Sequence, residues 1–286
     1  MKTKTILLLP TKNEEWVLKS TLYIMKNVFD KIIISDQSST DGTLELISKI
    51  ENLDIINNPR NFHSNQVRWE LLDEARKRYG KFNLIVNIDA DEFIPLKNFK
   101  NFKNKLHKFE PGIGFSAPWV QLWRSVKQYR SDKGVWNPKT NFKDFMFLDN
   151  GKINFTSEHI INDHTSRIPT INLRKIIKLS FPLLHLQFVN WERSQIKQIW
   201  YMCTELIEGA NAITINSKYR DSRSENDIKL SKVKNKWIDT YNFENLDLEI
   251  SNANWYLMEI KKMFQDKGIE FFSDLKIWDN DFILKL

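Results

Sequence analysis

The sequence predicts an α/β fold: a mostly parallel sheet over the first hundred residues, then an extension rich in aromatic strands, then helices. Three observations carry this. Short apolar runs alternate with helix-period segments from residue 5 to residue 92, the βα order that builds parallel sheets. From residue 111 the texture changes to aromatic, strand-like stretches. Beyond residue 191 the apolar period becomes helical. The expected organisation is 1–110, 111–190 and 191–286.

The elements follow in order. Residues 5–9 read as a strand and 14–28 as a helix, opened by a capping box of Thr11 and Glu14. Residues 31–35 are a second strand, 43–50 a second helix and 53–56 a third strand. Residues 64–79 form a third helix, with Val67, Leu71, Leu72 and Ala75 on one face. Residues 82–86 are the fourth strand. Residues 115–123 read as a strand, and 142–148 with 152–155 as a hairpin about Asp149-Asn150-Gly151. Helices are expected over 193–207 and 254–267, joined by a polar, mobile connection at 217–236.

Composition narrows the class. With 286 residues and 41% hydrophobic content, the chain can bury a sizeable core. One cysteine, Cys203, excludes an intramolecular disulfide framework and suits a reducing compartment. No signal-peptide pattern opens the sequence, and the longest apolar region, 176–189, is too short and polar to span a bilayer. A cytoplasmic protein is expected. The net charge of +7 suits a polyanionic ligand or an anionic membrane face, and equally an ordinary solvated surface. Zinc-finger spacing, an RNP-like strand and a dense arginine stripe are all missing, so nucleic acid is not an expected partner.

The segment Asn87-Ile88-Asp89-Ala90-Asp91-Glu92 follows the fourth strand. Strand alternation would put Asp89 and Asp91 on one face, where two carboxylates repel unless a cation intervenes. A hard divalent ion carrying phosphate oxygens would fit, because Mg²⁺ takes one or two carboxylates and leaves its other positions to substrate and water. An acidic turn capping the next element is the plainer alternative. The upstream segments decide between the two.

Those segments are Leu9-Pro10-Thr11-Lys12-Asn13-Glu14-Glu15, then Ile34-Ser35-Asp36-Gln37-Ser38-Ser39-Thr40-Asp41-Gly42-Thr43, then 61–69. With the Asp-Ala-Asp-Glu segment they form an ordered set that resembles the family 2 glycosyltransferases of GT-A fold. The nearest texture is the subgroup like the lipopolysaccharide core glycosyltransferases. Two departures stand out: Gln37 and Ser38 replace an Asp-Gly pair, and Arg68-Trp69 stands where Arg-Asn is common.

The resemblance implies a GT-A, Rossmann-like nucleotide-binding sheet with an acceptor-side half and C-terminal helices. It implies an inverting hexosyltransferase of polysaccharide biosynthesis that depends on Mn²⁺ or Mg²⁺. The donor would be a nucleoside-diphosphate sugar and the acceptor a glycan or lipid-linked hydroxyl, with work at the inner membrane face and peripheral contact allowed by the charge. Thr11, Asn13 and Glu14 would line the nucleoside pocket, although helix capping alone could explain Thr11 and Glu14. Asp36 would read the base. Arg68 would contact phosphate, with Arg60 as rival. Asp91 would ligate the metal, and Asp89 would hold metal or ribose. Glu158 would be the general base, with Asp163 and Asp132 as rivals.

Other residues are weighed against packing. His159, His164 and His185 match no zinc spacing, and His185 alone is kept as a third metal ligand. Trp119, Trp123, Trp136 and Trp191 could stack on sugars, with Trp123 and Trp136 as the better acceptor contacts. Ile196, Trp200, Cys203 and Ile207 form a stripe expected to pack against the sheet. Two rival functions remain. A sugar-phosphate nucleotidyltransferase would need a glycine-rich loop that Leu8-Leu9-Pro10-Thr11-Lys12-Asn13 lacks. A non-catalytic basic binding protein on a transferase scaffold sits poorly with intact Asp36, Asp89 and Asp91.

Overall fold

A computed structural model of the chain describes residues 3–60, 64, 66–156 and 167–286. Four apolar strands form the parallel part of the sheet. They are β1 (Thr5–Thr11), β2 (Lys31–Asp36), β3 (Leu53–Asn57) and β4 (Leu84–Asn87), in the order β3-β2-β1-β4. Buried on both faces, β1 and β4 read as continuous apolar runs. Beyond β4 the direction reverses. β8 (Phe142–Leu148) runs antiparallel to β4 and also pairs with β6 (Ile113–Trp123).

β6 is long enough to serve two neighbourhoods. Its first half pairs with β8 and with β9 (Lys175–Lys178). Its second half pairs with β10 (Leu183–Phe188) and, at Leu122, with β7 (Gln128–Arg130). β10 in turn pairs with the two-residue β5 (Glu92–Phe93), and β11 (Leu230–Lys232) closes the far edge on β7. This arrangement has a consequence for chemistry. β10 inserts between β5 and β6, so His185 stands opposite Glu92 on one side and Gln121 on the other.

Two apolar clusters cover the faces of the sheet, one containing Leu7, Val86 and Phe115, the other Ile6, Leu71 and Phe147. A separate cluster lies in the last third. There Ile196, Ile199, Met202 and Cys203, from the helix Trp191–Ile207, pack with Tyr256, Ile260 and Phe264, from the helix Asn254–Lys267. The stripe expected to meet the sheet thus meets the C-terminal helices. Among the described residues, no helix is long and apolar enough to cross a membrane.

Several expectations need correction. The helix over 14–28 is two short ones, Glu15–Leu18 and Leu22–Met25. Thr21 at the break donates its hydroxyl back to the Val17 carbonyl at 3.1 Å, a bond that bends helices. The capping box does not form: Thr11 is the last residue of β1 and donates to Asp36 instead, at 3.0 Å. The hairpin about Asn150 is absent as well. Asp149 is clamped by Arg76 at 2.7 and 3.1 Å, and the chain beyond touches Ile171 through a single bridge at Asn154. The polar stretch 217–236 is packed rather than loose. Glu225 accepts from the Trp123 indole at 2.8 Å and from Arg124, and Arg130 donates to the Asp221 carbonyl.

Candidate functional site

The carboxyl ends of β1, β2 and β4 open into a cleft of about 310 Å³. This is where sheets of this kind bind ligands. Thr11, Lys12 and Glu14 line one end, and Arg68, Asp89, Asp91 and His185 the middle. Trp119, Lys143 and Arg167 line the side formed by the residues after β5. Residues of the C-terminal helices, Lys197, Trp200, Tyr201, Trp255 and Tyr256, supply a further wall.

At the Thr11 end of the cleft the loops are tied to one another. Asp36 is buried; it accepts from the Thr11 hydroxyl, from the Ser39 hydroxyl at 2.6 Å and from the Ser39 amide at 2.9 Å. Asn13 adopts a left-handed φ of 54°, and its side-chain oxygen accepts from the Thr40 amide at 2.7 Å. An αL conformation suits asparagine, whose short side chain can bond locally. Neither Asp36 nor Asn13 is among the residues lining the cleft, whereas Thr11 and Glu14 are.

Glu14 is 8% exposed and accepts from the Trp16 indole at 2.6 Å. Burial pushes its carboxyl up to about 7, against the pull of Arg193 at 3.5 Å. A carboxyl raised in the fold contributes stability that is complete below its unfolded value near 4.5 and lost as pH rises through about 7. Glu14→Gln keeps an acceptor for Trp16 and never ionises. Melting temperatures from pH 5 to pH 8 should therefore show wild type losing ground to Glu14→Gln. A constant gap across that range would mean that Glu14 does not titrate there.

Asp89 and Asp91 do not alternate along a strand, because β4 ends at Asn87 and residues 89–92 turn. The turn sends them to different partners. Arg68 donates to Asp89 at 2.5 Å and to Asn87 at 2.5 Å, and Arg167 donates to the other Asp89 oxygen at 2.5 Å. Burial would raise the Asp89 pKa, but Arg167 and Arg68 outweigh it and hold the carboxyl well below the usual range. Glu92 is fully buried, accepting from Trp119 at 2.8 Å, from the Asp89 amide at 3.0 Å and from Arg167. It braces the turn.

Asp91 faces two different groups. One oxygen lies 3.2 Å from His185 Nε2, and the other accepts from Lys197 Nζ at 3.4 Å. Here too burial is outweighed, chiefly by the Lys197 ammonium, and the carboxyl is held well below its ordinary value. His185 Nδ1 lies 2.8 Å from the Gln121 side-chain oxygen, which can only accept. Nδ1 therefore carries the proton. In the neutral ring Nε2 then presents a lone pair to a carboxylate oxygen. Two acceptors at that distance need a proton or a metal ion between them.

A metal would fit this pair. Adjacent ligands of an octahedral ion with bonds of about 2.1 Å lie roughly 3 Å apart, close to the observed separation. The Nδ1 bond to Gln121 is the outer partner that orients ligating histidines. Among the described residues no three His, Cys, Asp or Glu side chains gather around one point. The protein would thus give two ligands and leave the others to substrate and water.

The chain matches the family model of "Glycosyl transferase family 2" over residues 6–161. The chain belongs to that family. Among curated proteins, none matches the transferase. Among solved structures, Staphylococcus aureus TarS (residues 1–349) is 13% identical, over 96% of this chain and 83% of that one, with a TM-score of 0.42. TarS in complex with UDP gives 14% identity and the same score. Mycobacterium tuberculosis glucosyl-3-phosphoglycerate synthase, in complex with Mn²⁺, UDP-glucose and phosphoglyceric acid, is 18% identical. That match spans 42% of this chain and 44% of the other, with a TM-score of 0.29.

Some candidates of the transferase fall outside the cleft. Arg60 is held by Glu70 and Asn58 and does not line it. Asp132 is paired with Arg130 at 2.7 and 3.1 Å and is likewise outside. Trp123 and Trp136 are 0% and 7% exposed and pack with Phe188, so they are core rather than sugar platforms. Trp191 packs on Trp123. Trp119 does reach the cleft, stacked on His185 at 5.4 Å. Glu158, His159, Asp163 and His164 lie outside the described residues.

The structure adds residues that sequence reasoning missed. Arg167, Lys143 and Lys197 line the cleft. Burial, with Arg167 nearby, lowers the Lys143 ammonium to about 8. On the helix Trp191–Ile207, Arg193, Lys197 and Tyr201 recur at i, i+4 beside the apolar stripe. The two basic residues of that row, Arg193 and Lys197, were a readable signal. Arg167 offered none.

Proposed function

We propose that the protein is an inverting, divalent-metal-dependent hexosyltransferase resembling the lipopolysaccharide core subgroup. It would move a sugar from a nucleoside-diphosphate donor to a hydroxyl of a glycan or lipid-linked acceptor, in polysaccharide biosynthesis at the cytoplasmic face of a membrane. The observation that carries the metal-dependent reading is the facing pair of Asp91 and His185 Nε2 at 3.2 Å, in a cleft ringed by cations. Asp91 and His185 would hold Mn²⁺ or Mg²⁺. The ion, when bound, supplies charge to the leaving diphosphate.

The chain's own residues do the rest. Thr11, Asn13, Glu14 and Asp36 would form the nucleoside end, with Asp36 setting the loop that meets the base. Arg68 would face phosphate while holding Asp89, and Asp89 would orient ribose rather than share the ion. Glu158 would take the proton as the acceptor oxygen bonds to the anomeric carbon and the bond from that carbon to the diphosphate breaks. Residues 1–110 would supply the donor half, 111–190 the acceptor half and 191–286 the helical wall.

A thermal-shift panel of nucleotide sugars, with and without Mn²⁺, identifies the donor, since a ligand that binds only the folded state raises the melting temperature. Asp91→Asn should then weaken the Mn²⁺-dependent part of donor affinity by at least about 10-fold, the scale seen even for groups that only orient metal ligands. Calorimetry showing an unchanged metal-dependent affinity in Asp91→Asn would falsify the assignment.

A further inference from the structure

Lys197 stands on the helix Trp191–Ile207, beyond the residues 6–161 that match the family. It is 8% exposed, lines the cleft and has one hydrogen-bond partner among the described residues, Asp91 at a long 3.4 Å. An ammonium has three donors. A buried cation with one weak bond is costly, and it is stabilised by further acceptors. One turn earlier Arg193 is fully buried, with its guanidinium over the Trp16 ring at 4.3 Å and no hydrogen-bond partner for any of its three nitrogens. Arg193 does not line the cleft and lies 3.5 Å from Glu14, so Lys197 is the cation that this helix presents at the Asp91 end of the cleft.

The two oxygens of Asp91 divide the space. One faces His185 Nε2, the position an ion would take, and the other faces the Lys197 ammonium. A diphosphate bridging these positions would offer oxygens to both. We infer that Lys197 is a second, metal-independent contact for the leaving diphosphate, holding a phosphoryl oxygen beside the ion position. The inference rests on the nucleoside-diphosphate reading above. It assigns a phosphate-binding role to a residue of the C-terminal helical wall. Two cationic contacts on one diphosphate make donor affinity only partly dependent on metal.

The test is calorimetry of UDP, GDP, CDP, ADP and inorganic pyrophosphate, in Mn²⁺ and in EDTA, on wild type, Lys197→Met and Lys197→Arg. The nucleotide that binds best in Mn²⁺ should keep measurable affinity in EDTA. Lys197→Met should weaken that EDTA affinity roughly 10–100-fold, the effect of losing a hydrogen bond to a charged group. Lys197→Arg should restore most of it. A lysine that merely neutralises Asp91 would lower the melting temperature of Lys197→Met and leave its EDTA affinity at the wild-type level. That result overturns the inference, as does binding in wild type that needs Mn²⁺ entirely. Should Lys197→Met fail to fold, Lys197→Gln, which keeps a donor for Asp91, carries the comparison. If no nucleotide binds in either condition, the nucleoside-diphosphate reading falls and the inference with it, a result distinct from metal-only binding.

Discussion

Replacing Glu158 with glutamine should lower turnover by roughly 10²–10⁴-fold, the scale of losing general base catalysis. Donor affinity should change little, because the proposed nucleoside contacts, Thr11 and Glu14 among them, come from β1 and the loop after it. Glutamine keeps the size and most hydrogen bonding of glutamate but cannot accept the proton. The chain leaves the described residues at Thr156 and returns at Arg167, whose guanidinium grips Asp89. Asp163→Asn is the control. Normal turnover by Glu158→Gln with a dead Asp163→Asn moves the base; full activity in both removes it from this segment. The comparison needs steady-state rates with saturating donor, so that a binding defect cannot pass for a chemical one.

The second large effect is on stability. Arg167 is 5% exposed and joins Asp89 and Glu92, the latter fully buried. Removing one partner of a buried ion pair costs about 3–5 kcal/mol, because the charge left behind is unpaired. Arg167→Met should therefore lower the melting temperature by on the order of 10 °C for a chain of this size. Arg60→Met makes a useful contrast. Arg60 also pairs with a carboxylate, Glu70, but that side chain is 43% exposed. An exposed pair contributes about 0–1 kcal/mol. If the two variants melt together, Arg167 is not the keystone of this turn.

The parallel half of the fold was legible because its signals are local. Apolar runs separated by helix-period segments specify β1 to β4, and the third helix buries the face its period implied: Val67, Leu71, Leu72 and Ala75. The mid-chain pairings were not legible. That β10 would slip between β5 and β6 depends on contacts distant in sequence, and no turn residue encodes it. The tryptophans misled for a related reason. Trp123 is adjacent to a polar loop in sequence, yet its ring is sealed by Trp136 and Phe188 from other elements.

The site divides along the same line. Asp89 and Asp91 were visible as a motif, but their partners were not. Arg68 and Arg167 on one, and His185 and Lys197 on the other, arrive from four separate stretches of chain. Alternation along a strand also gave the wrong geometry, since it presumes a strand that continues past Asn87. Single-sequence reading ranks residue types well at a turn and says little about which distant charges close on it.

The helix Trp191–Ile207 has one flank in an apolar cluster with the helix Asn254–Lys267 and the other in the cleft. The C-terminal third is thus not an exchangeable cap. Swapping it between family members would also swap the cation beside Asp91, so a chimera that folds would still have an altered cleft. A transplant that leaves the cleft intact keeps the cleft-facing side of that helix, Lys197 included, and alters only what lies beyond it.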